Sequence, residues 1–236
     1  MTTIPDKLQA VRARLAAACA AAQRPPGDVT LLAVSKTFGA EAVREAAAAG
    51  QRAFGENYIQ EAVEKMALLA HLPLEWHCIG PIQSNKTRLV ATHFQWAHTI
   101  DRLKIAQRLS EQRPDGLPPL NVCIQVNIDG GPNKAGATPA EALELARQVA
   151  ALPRLALRGL MTIPEPVEDF DAQLAIHRRT RALFDELRAA GLRLDTLSMG
   201  MTADLETAVA AGSTMVRVGT AIFGGRTYAR EGATAA

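Results

Sequence analysis

Eight short apolar runs alternate with helical patterns along these 236 residues, and the fold they predict is a single (β/α)8 barrel, a TIM barrel, with one extra N-terminal helix. Three observations carry the prediction. The clearest run, Val29–Lys36, is β-branched and aliphatic with little polar alternation, as in a strand buried on both faces of a parallel sheet. Between consecutive runs lie segments with helical spacing, and parallel strands require such crossovers. No Pro/Gly/Ser linker divides the chain, so residues 1–236 are expected to form one barrel domain. An open doubly wound sheet is the structural alternative; it normally leaves fewer strands in a chain of this size.

Pro5 in a first turn, with Leu8, Val11, Leu15 and Ala18 at three- and four-residue spacing, gives an amphipathic helix within residues 1–24. Val29–Lys36 (VTLLAVSK) is the first strand and Ala40–Ala49, closed by Gly50, the first crossover helix. Arg52–Gly55 reads as the second strand, followed by a helix over Glu56–Ala70. Leu74–Ile79 (LEWHCI) is the third, with a short helix over Lys86–Ala91, and Gln95–Ile100 the fourth. Asp101 is placed as the N-cap of a helix over Arg102–Gln112. Leu120–Ile128 (LNVCIQVNI) is the fifth strand. Thr138-Pro139-Ala140-Glu141 then joins an N-cap threonine, a first-turn proline and a glutamate three residues on, so a helix begins there. Leu155–Met161 and a helix over Phe170–Ala190 form the sixth unit, Thr196–Met199 and Ala203–Ala211 the seventh, and Thr214–Val218 the eighth strand. Residues 227–236 are polar and read as a flexible tail.

A net charge of +2, spread along the chain, leaves no electrostatic footprint for nucleic acid or a membrane surface. Cys19, Cys78 and Cys123 are odd in number and lack metal-type spacing, which points to buried thiols in a reducing compartment, hence a cytoplasmic protein without a metal. No stretch has the length of a membrane span or the order of a signal peptide.

Barrel sites lie at the C-terminal ends of the strands. Lys36 ends the first strand, where partial desolvation favours a neutral amine able to attack an aldehyde. A lysine snorkelling to water is the plainer reading. The seventh and eighth strands end in Ser198-Met199-Gly200-Met201-Thr202 and Arg217-Val218-Gly219-Thr220. Each places a glycine and a hydroxyl at a helix start, where free N–H groups suit a phosphate. Strand eight neighbours strand one in a closed barrel, so Lys36 stands beside this anion cup. Such a pairing fits a phosphorylated aldehyde: pyridoxal 5′-phosphate, or a sugar phosphate handled by a class I aldolase-like enzyme. His77, in Trp76-His77-Cys78, is either a general base or a histidine packed inside the barrel. Arg178, Arg179 and Arg181 read as a solvated helix face.

The stretches AVSKT (33–37), FGENYIQE (54–61), WHCIGPIQSNK (76–86), RGLMTIP (158–164) and LSMGMTADLETAVAAGSTMVRVGTAIFG (197–224) resemble, in that order, the pyridoxal phosphate homeostasis protein family. That family is related to the N-terminal barrel of alanine racemase, a barrel of the fold-type-III pyridoxal phosphate proteins. The resemblance implies a cofactor held as a Schiff base on Lys36. It implies phosphate binding through Ser198, Met199, Gly200, Arg217, Gly219 and Thr220, with Met201 adjoining. Asn57 would face the cofactor, with Tyr58 beside it. Phe38 stands where many members carry a second lysine, which leaves Lys134, in Asn133-Lys134-Ala135-Gly136, as the candidate for secondary cofactor transfer.

A racemase needs two bases on opposite faces of the substrate carbon. In alanine racemases the second, a tyrosine, comes from a C-terminal β domain contributed across a dimer, and no such domain is expected here. The tyrosines available are Tyr58 and Tyr228. Asp204, the acid nearest the anion cup, reads as serving the first turn of its helix. The expectation is therefore a monomeric carrier of pyridoxal phosphate, passing it to pyridoxal phosphate-dependent apo-enzymes. An amino-acid racemase-like enzyme is the alternative.

Overall fold

The computed structural model describes residues 2–131 and 134–225. Its strands are β1 (Thr30–Val34), β2 (Ala53–Glu56), β3 (Glu75–Cys78), β4 (Trp96–Ile100), β5 (Leu120–Gln125), β6 (Leu155–Met161), β7 (Thr196–Ser198) and β8 (Met215–Val218). They pair in chain order, each parallel to the next, into a closed barrel. β8 returns to β1 with Leu32 opposite Arg217 and Ala33 opposite Val218. The helices α1 (Ile4–Ala21), α2 (Ala40–Ala48), α3 (Ile59–Leu68), α4 (Thr87–His93), α5 (Leu103–Gln112), α6 (Pro139–Ala150), α7 (Phe170–Ala189), α8 (Leu205–Ala210) and α9 (Thr220–Phe223) surround it.

Strand alternation divides the core in two. Ala33, Val216 and Val218 face outward and join the large cluster packed beneath the helices. Leu32, Val34 and Met215 face inward and meet Ala53 and Ile79 in a separate interior cluster. The rest of the interior mixes a second apolar group, Trp96, Cys123 and Met161, with the buried polar side chains of His77, His98, Ser198 and Arg217. Val34 and Ile79 from the apolar side and Arg217 from the polar side come together at the C-terminal ends of the strands.

The additional helix α1 packs against α2, α8 and α9, beside the seam where β8 meets β1. It buries Leu8, Val11, Leu15, Ala18 and Cys19 at the predicted spacing. Thr3 and Asp6 form a capping box at its start, and Arg14 grips Glu206 with two contacts of 2.6 Å. The predicted Thr138 and Glu141 box is present on α6.

Some boundaries differ from expectation. Glu56 does not begin a helix: it is the buried last residue of β2, and α3 starts at Ile59. Asp101 is not a cap; Arg102 holds that position, and its guanidinium bonds the Asp101 carboxylate at 3.0 Å. β1 stops at Val34, so Lys36 lies in the turn beyond it rather than at the strand's last position. Asn133, Tyr228 and the expected tail at 227–236 fall outside the described residues.

Candidate functional site

At the C-terminal mouth a cavity of about 380 Å³ opens between the ends of β1 and β8. Lys36, Asn57, Met201, Arg217, Gly219 and Thr220 all line it. Thr202, from the same segment as Met201, also lines it, whereas sequence spacing gave no direct sign of the other walls, which include Phe38, Ile79, Ile163 and Ala203. Phe38 packs its ring 5.2 Å from that of Phe223, so the loop after β1 is pinned to α9. The turn carrying Lys36 is tight: the Phe38 N–H donates to the Ser35 carbonyl at 3.1 Å. Thr37 there adopts a φ of 68°. A β-branched residue in the left-handed region holds roughly 1–3 kcal/mol of strain, which the surrounding packing must impose.

Directly behind Lys36 lies a buried ion pair that sequence reading missed. Lys65 Nζ is 2.6 Å from Glu56 Oε1, and both side chains are at most 4% exposed. The Ser35 hydroxyl donates to the same carboxylate at 2.6 Å, and Lys65 also donates to the Ser35 carbonyl. Burial pushes the Glu56 carboxyl above its ordinary value, against the pull of Lys65. The network fixes Ser35, and so the base of the Lys36 turn, to β2 and α3.

Asn57 follows β2 and presents a buried Oδ1 for which no protein partner is found among the described residues. Its backbone is pressed against Gly80, where a Cβ would lie 2.3 Å from the Asn57 carbonyl oxygen. Arg217 rises from β8 and is 4% exposed. Its Nη1 donates to the Ser198 carbonyl and hydroxyl at 2.7 and 2.9 Å, and its Nη2 to the Thr162 carbonyl at 2.8 Å. Burial brings the guanidinium down to about 10, with Asp204 opposing.

Ser198, Met199 and Gly200 stand below the cavity rather than on its wall. The Ser198 hydroxyl is taken by Arg217, and Met199 is fully buried in the helix-facing core. Gly200, at φ +94°, turns the chain toward Met201; a Cβ there would come within 2.4 Å of Ala208 Cβ. Asp204 sits at the cap position of α8. It accepts from the Met201 N–H at 2.6 Å and pairs with His177 at 2.9 Å, so its work is to tie this loop to α7. Tyr58 is half exposed at the start of α3, off the cavity wall. His77 is wholly buried inside the barrel and does not reach the mouth. Lys134 is held by Asp129 at 3.0 Å and Glu165 at 3.2 Å, and donates to the carbonyl of the wall residue Ile163.

Comparison with known proteins gives one answer. The family model for the alanine racemase N-terminal domain matches residues 7–227. The pyridoxal phosphate homeostasis protein of Pseudomonas aeruginosa is 60% identical over 228 residues, covering 97% of this chain and 98% of its own. That of Escherichia coli K12 is 54% identical, covering 98% of this chain and 100% of its own. Among solved structures, PipY of Synechococcus elongatus with pyridoxal phosphate bound is 40% identical with a TM-score of 0.81, over 94% of this chain and 100% of that one. The chain belongs to the pyridoxal phosphate homeostasis protein family, built on the barrel that also forms the N-terminal domain of alanine racemase.

Proposed function

We propose that this protein binds pyridoxal 5′-phosphate through the Lys36 amine and keeps it available to the cell, acting as a carrier with little or no turnover. One observation bears most of the weight: among the described residues, one amine, Lys36, and one guanidinium, Arg217, line a single space of about 380 Å³, within the roughly 300–1,000 Å³ usual for small-molecule sites. Asn57 lines the same wall, its Oδ1 buried behind it without a protein partner among the described residues. When bound, the cofactor supplies an electrophilic aldehyde and an electron-accepting ring. Lys36 provides the nucleophile. Gly219 and Thr220, at the first turn of α9, offer backbone N–H groups and a hydroxyl to the anionic arm. Ser198, Met199 and Gly200 shape the loop beneath, and Arg217 places positive charge at the cavity floor.

The carrier reading draws on what lines the cavity. Among the described wall residues, Lys36 and Arg217 are the ionisable side chains, and no carboxylate, imidazole or phenol stands with them. Racemisation requires a second base, and carbanion chemistry benefits from an acid at the ring nitrogen. On the same reading the protein is a cytoplasmic monomer that yields pyridoxal phosphate to apo-enzymes. Its thiols are buried and unpaired, and among the described residues no helix is long and apolar enough to cross a membrane. Tyr58 and Lys134 remain proposed as accessory residues at the approach to the cavity.

The visible spectrum is the test. Protein titrated with pyridoxal phosphate is expected to turn yellow, and borohydride to fix one pyridoxyl group on Lys36, located by peptide mass spectrometry. A colourless mixture with no bound cofactor overturns the reading. Robust racemisation or decarboxylation across the amino acids would favour the enzyme alternative.

A further inference from the structure

His77 and His98 form part of an unbroken run of hydrogen bonds through the barrel lumen. Glu75 Oε1 lies 2.8 Å from His77 Nε2, and His77 Nδ1 lies 2.9 Å from His98 Nε2. His98 Nδ1 lies 2.9 Å from Ser198 Oγ, which Arg217 Nη1 reaches at 2.9 Å. The run crosses β3, β4, β7 and β8. It begins at the first residue of β3, where the Glu75 side chain is 48% exposed at the N-terminal face, and ends on the cavity floor at the opposite face.

The two ends fix every proton between them. A guanidinium only donates, so Ser198 Oγ accepts from Arg217. An ionised carboxylate only accepts, and the bond from His77 holds Glu75 below its ordinary value, so His77 Nε2 carries the hydrogen. Burial lowers both imidazoles below their ordinary value, and for His98 the neighbouring His77 and Arg217 add to it, so both are neutral near pH 7. A neutral ring has one bare nitrogen. His77 Nδ1 must then accept from His98 Nε2–H, and His98 Nδ1 from the Ser198 hydroxyl. Each donor and acceptor is used once, and every bond dipole points the same way, from Arg217 toward Glu75. Chains aligned in this manner polarise one another in a low-dielectric interior. No carboxylate makes an ion pair with Arg217 among the described residues; Asp204 acts on it through space, and Glu75 is the carboxylate it reaches through hydrogen bonds.

We propose that Glu75, His77, His98 and Ser198 are positioning residues for Arg217, a directed chain through which the N-terminal face of the barrel sets how the guanidinium engages a ligand in the cavity. The inference rests on the reading of that cavity as a pyridoxal phosphate site. Glu75→Gln keeps an acceptor for His77 Nε2–H and removes the charge, at a position partly in solvent. Relative to the unsubstituted protein it is expected to bind pyridoxal phosphate roughly 3- to 10-fold more weakly, the range set by one hydrogen bond's net contribution. The visible band of the bound cofactor is expected to move as well, with the thermal midpoint of the ligand-free protein unchanged; a purely structural role would move the midpoint and leave the band.

The chain has its own readout without any ligand. In protein labelled with 15N-histidine, the two-bond nitrogen–proton spectrum should give His77 and His98 as Nε2–H tautomers across pH 6 to 8. His98→Gln and His177→Gln assign the buried rings. An Nδ1–H or imidazolium pattern at either ring overturns the proposal, whatever the cofactor does. Unchanged affinity and band in Glu75→Gln, in protein that does bind pyridoxal phosphate, overturns it too. Failure of the unsubstituted protein to bind pyridoxal phosphate overturns the reading of the cavity, and with it the role proposed for the chain there. Should Glu75→Gln not fold, the tautomers decide.

Discussion

Lys36 is half-buried on a turn whose next residue is held in a left-handed conformation, so the backbone that carries it is fixed by the turn. Lys36→Ala is therefore expected to abolish borohydride-trapped pyridoxyl label on the protein while the thermal midpoint of the ligand-free form changes little, as measured by circular dichroism. Asp204 allows a test by pH. Burial pushes its carboxyl up, but the bonds from His177 and the Met201 N–H outweigh this and leave it below 3.8. A depressed folded value means stability that is present above the ordinary value and lost as pH falls through the folded one. Asp204→Asn should thus flatten the acid limb of the midpoint-against-pH curve below about pH 4. A limb of unchanged slope would mean that the pair with His177 contributes nothing to stability.

Among the elements, the turn after β1 depends on the ion pair that joins β2 to α3. Removing one partner strands the other charge, so Lys65→Met is expected to cost about 3–5 kcal/mol by urea unfolding at pH 7. Without Lys65 the already raised Glu56 carboxyl rises further. A raised folded value is stabilising below the unfolded one and is lost as pH climbs, so the deficit should shrink below pH 4.5 and widen toward neutrality. Gly80 sets the other wall. An alanine there meets the Asn57 backbone, and Gly80→Ala is expected to weaken pyridoxal phosphate binding more than tenfold in a chain that still folds. The strands were legible in the sequence because burial on both faces leaves an uninterrupted apolar run. Glu56 was misread because a buried carboxylate at a strand end has the same letters as a first-turn glutamate. Its partner nine residues on declares itself only once α3 folds back over β2.

For the whole molecule, ligand binding and folding share one equilibrium. At a free concentration one hundred times the dissociation constant the folded state gains about 2.7 kcal/mol. In a chain of this size that is a rise in midpoint of roughly 5–10 °C. Thermal scans with and without pyridoxal phosphate should show that rise, and Lys36→Ala a clearly smaller one. The barrel and the mouth at β1 and β8 followed from counting units. The lumen chain did not, because His77 and His98 sit 21 positions apart and Ser198 another 100 further on. Period and composition carry no record of which inward side chains face one another across a barrel.

The seam between β1 and β8 also orders events during synthesis. The amine follows the first strand and the guanidinium stands on the last, so a chain still emerging from the ribosome with its eighth strand unmade has half a cavity. On the proposed site, specific capture of pyridoxal phosphate needs a barrel that has closed. Colour in newly made protein would then report completion of the fold, and truncated products are expected to stay unloaded.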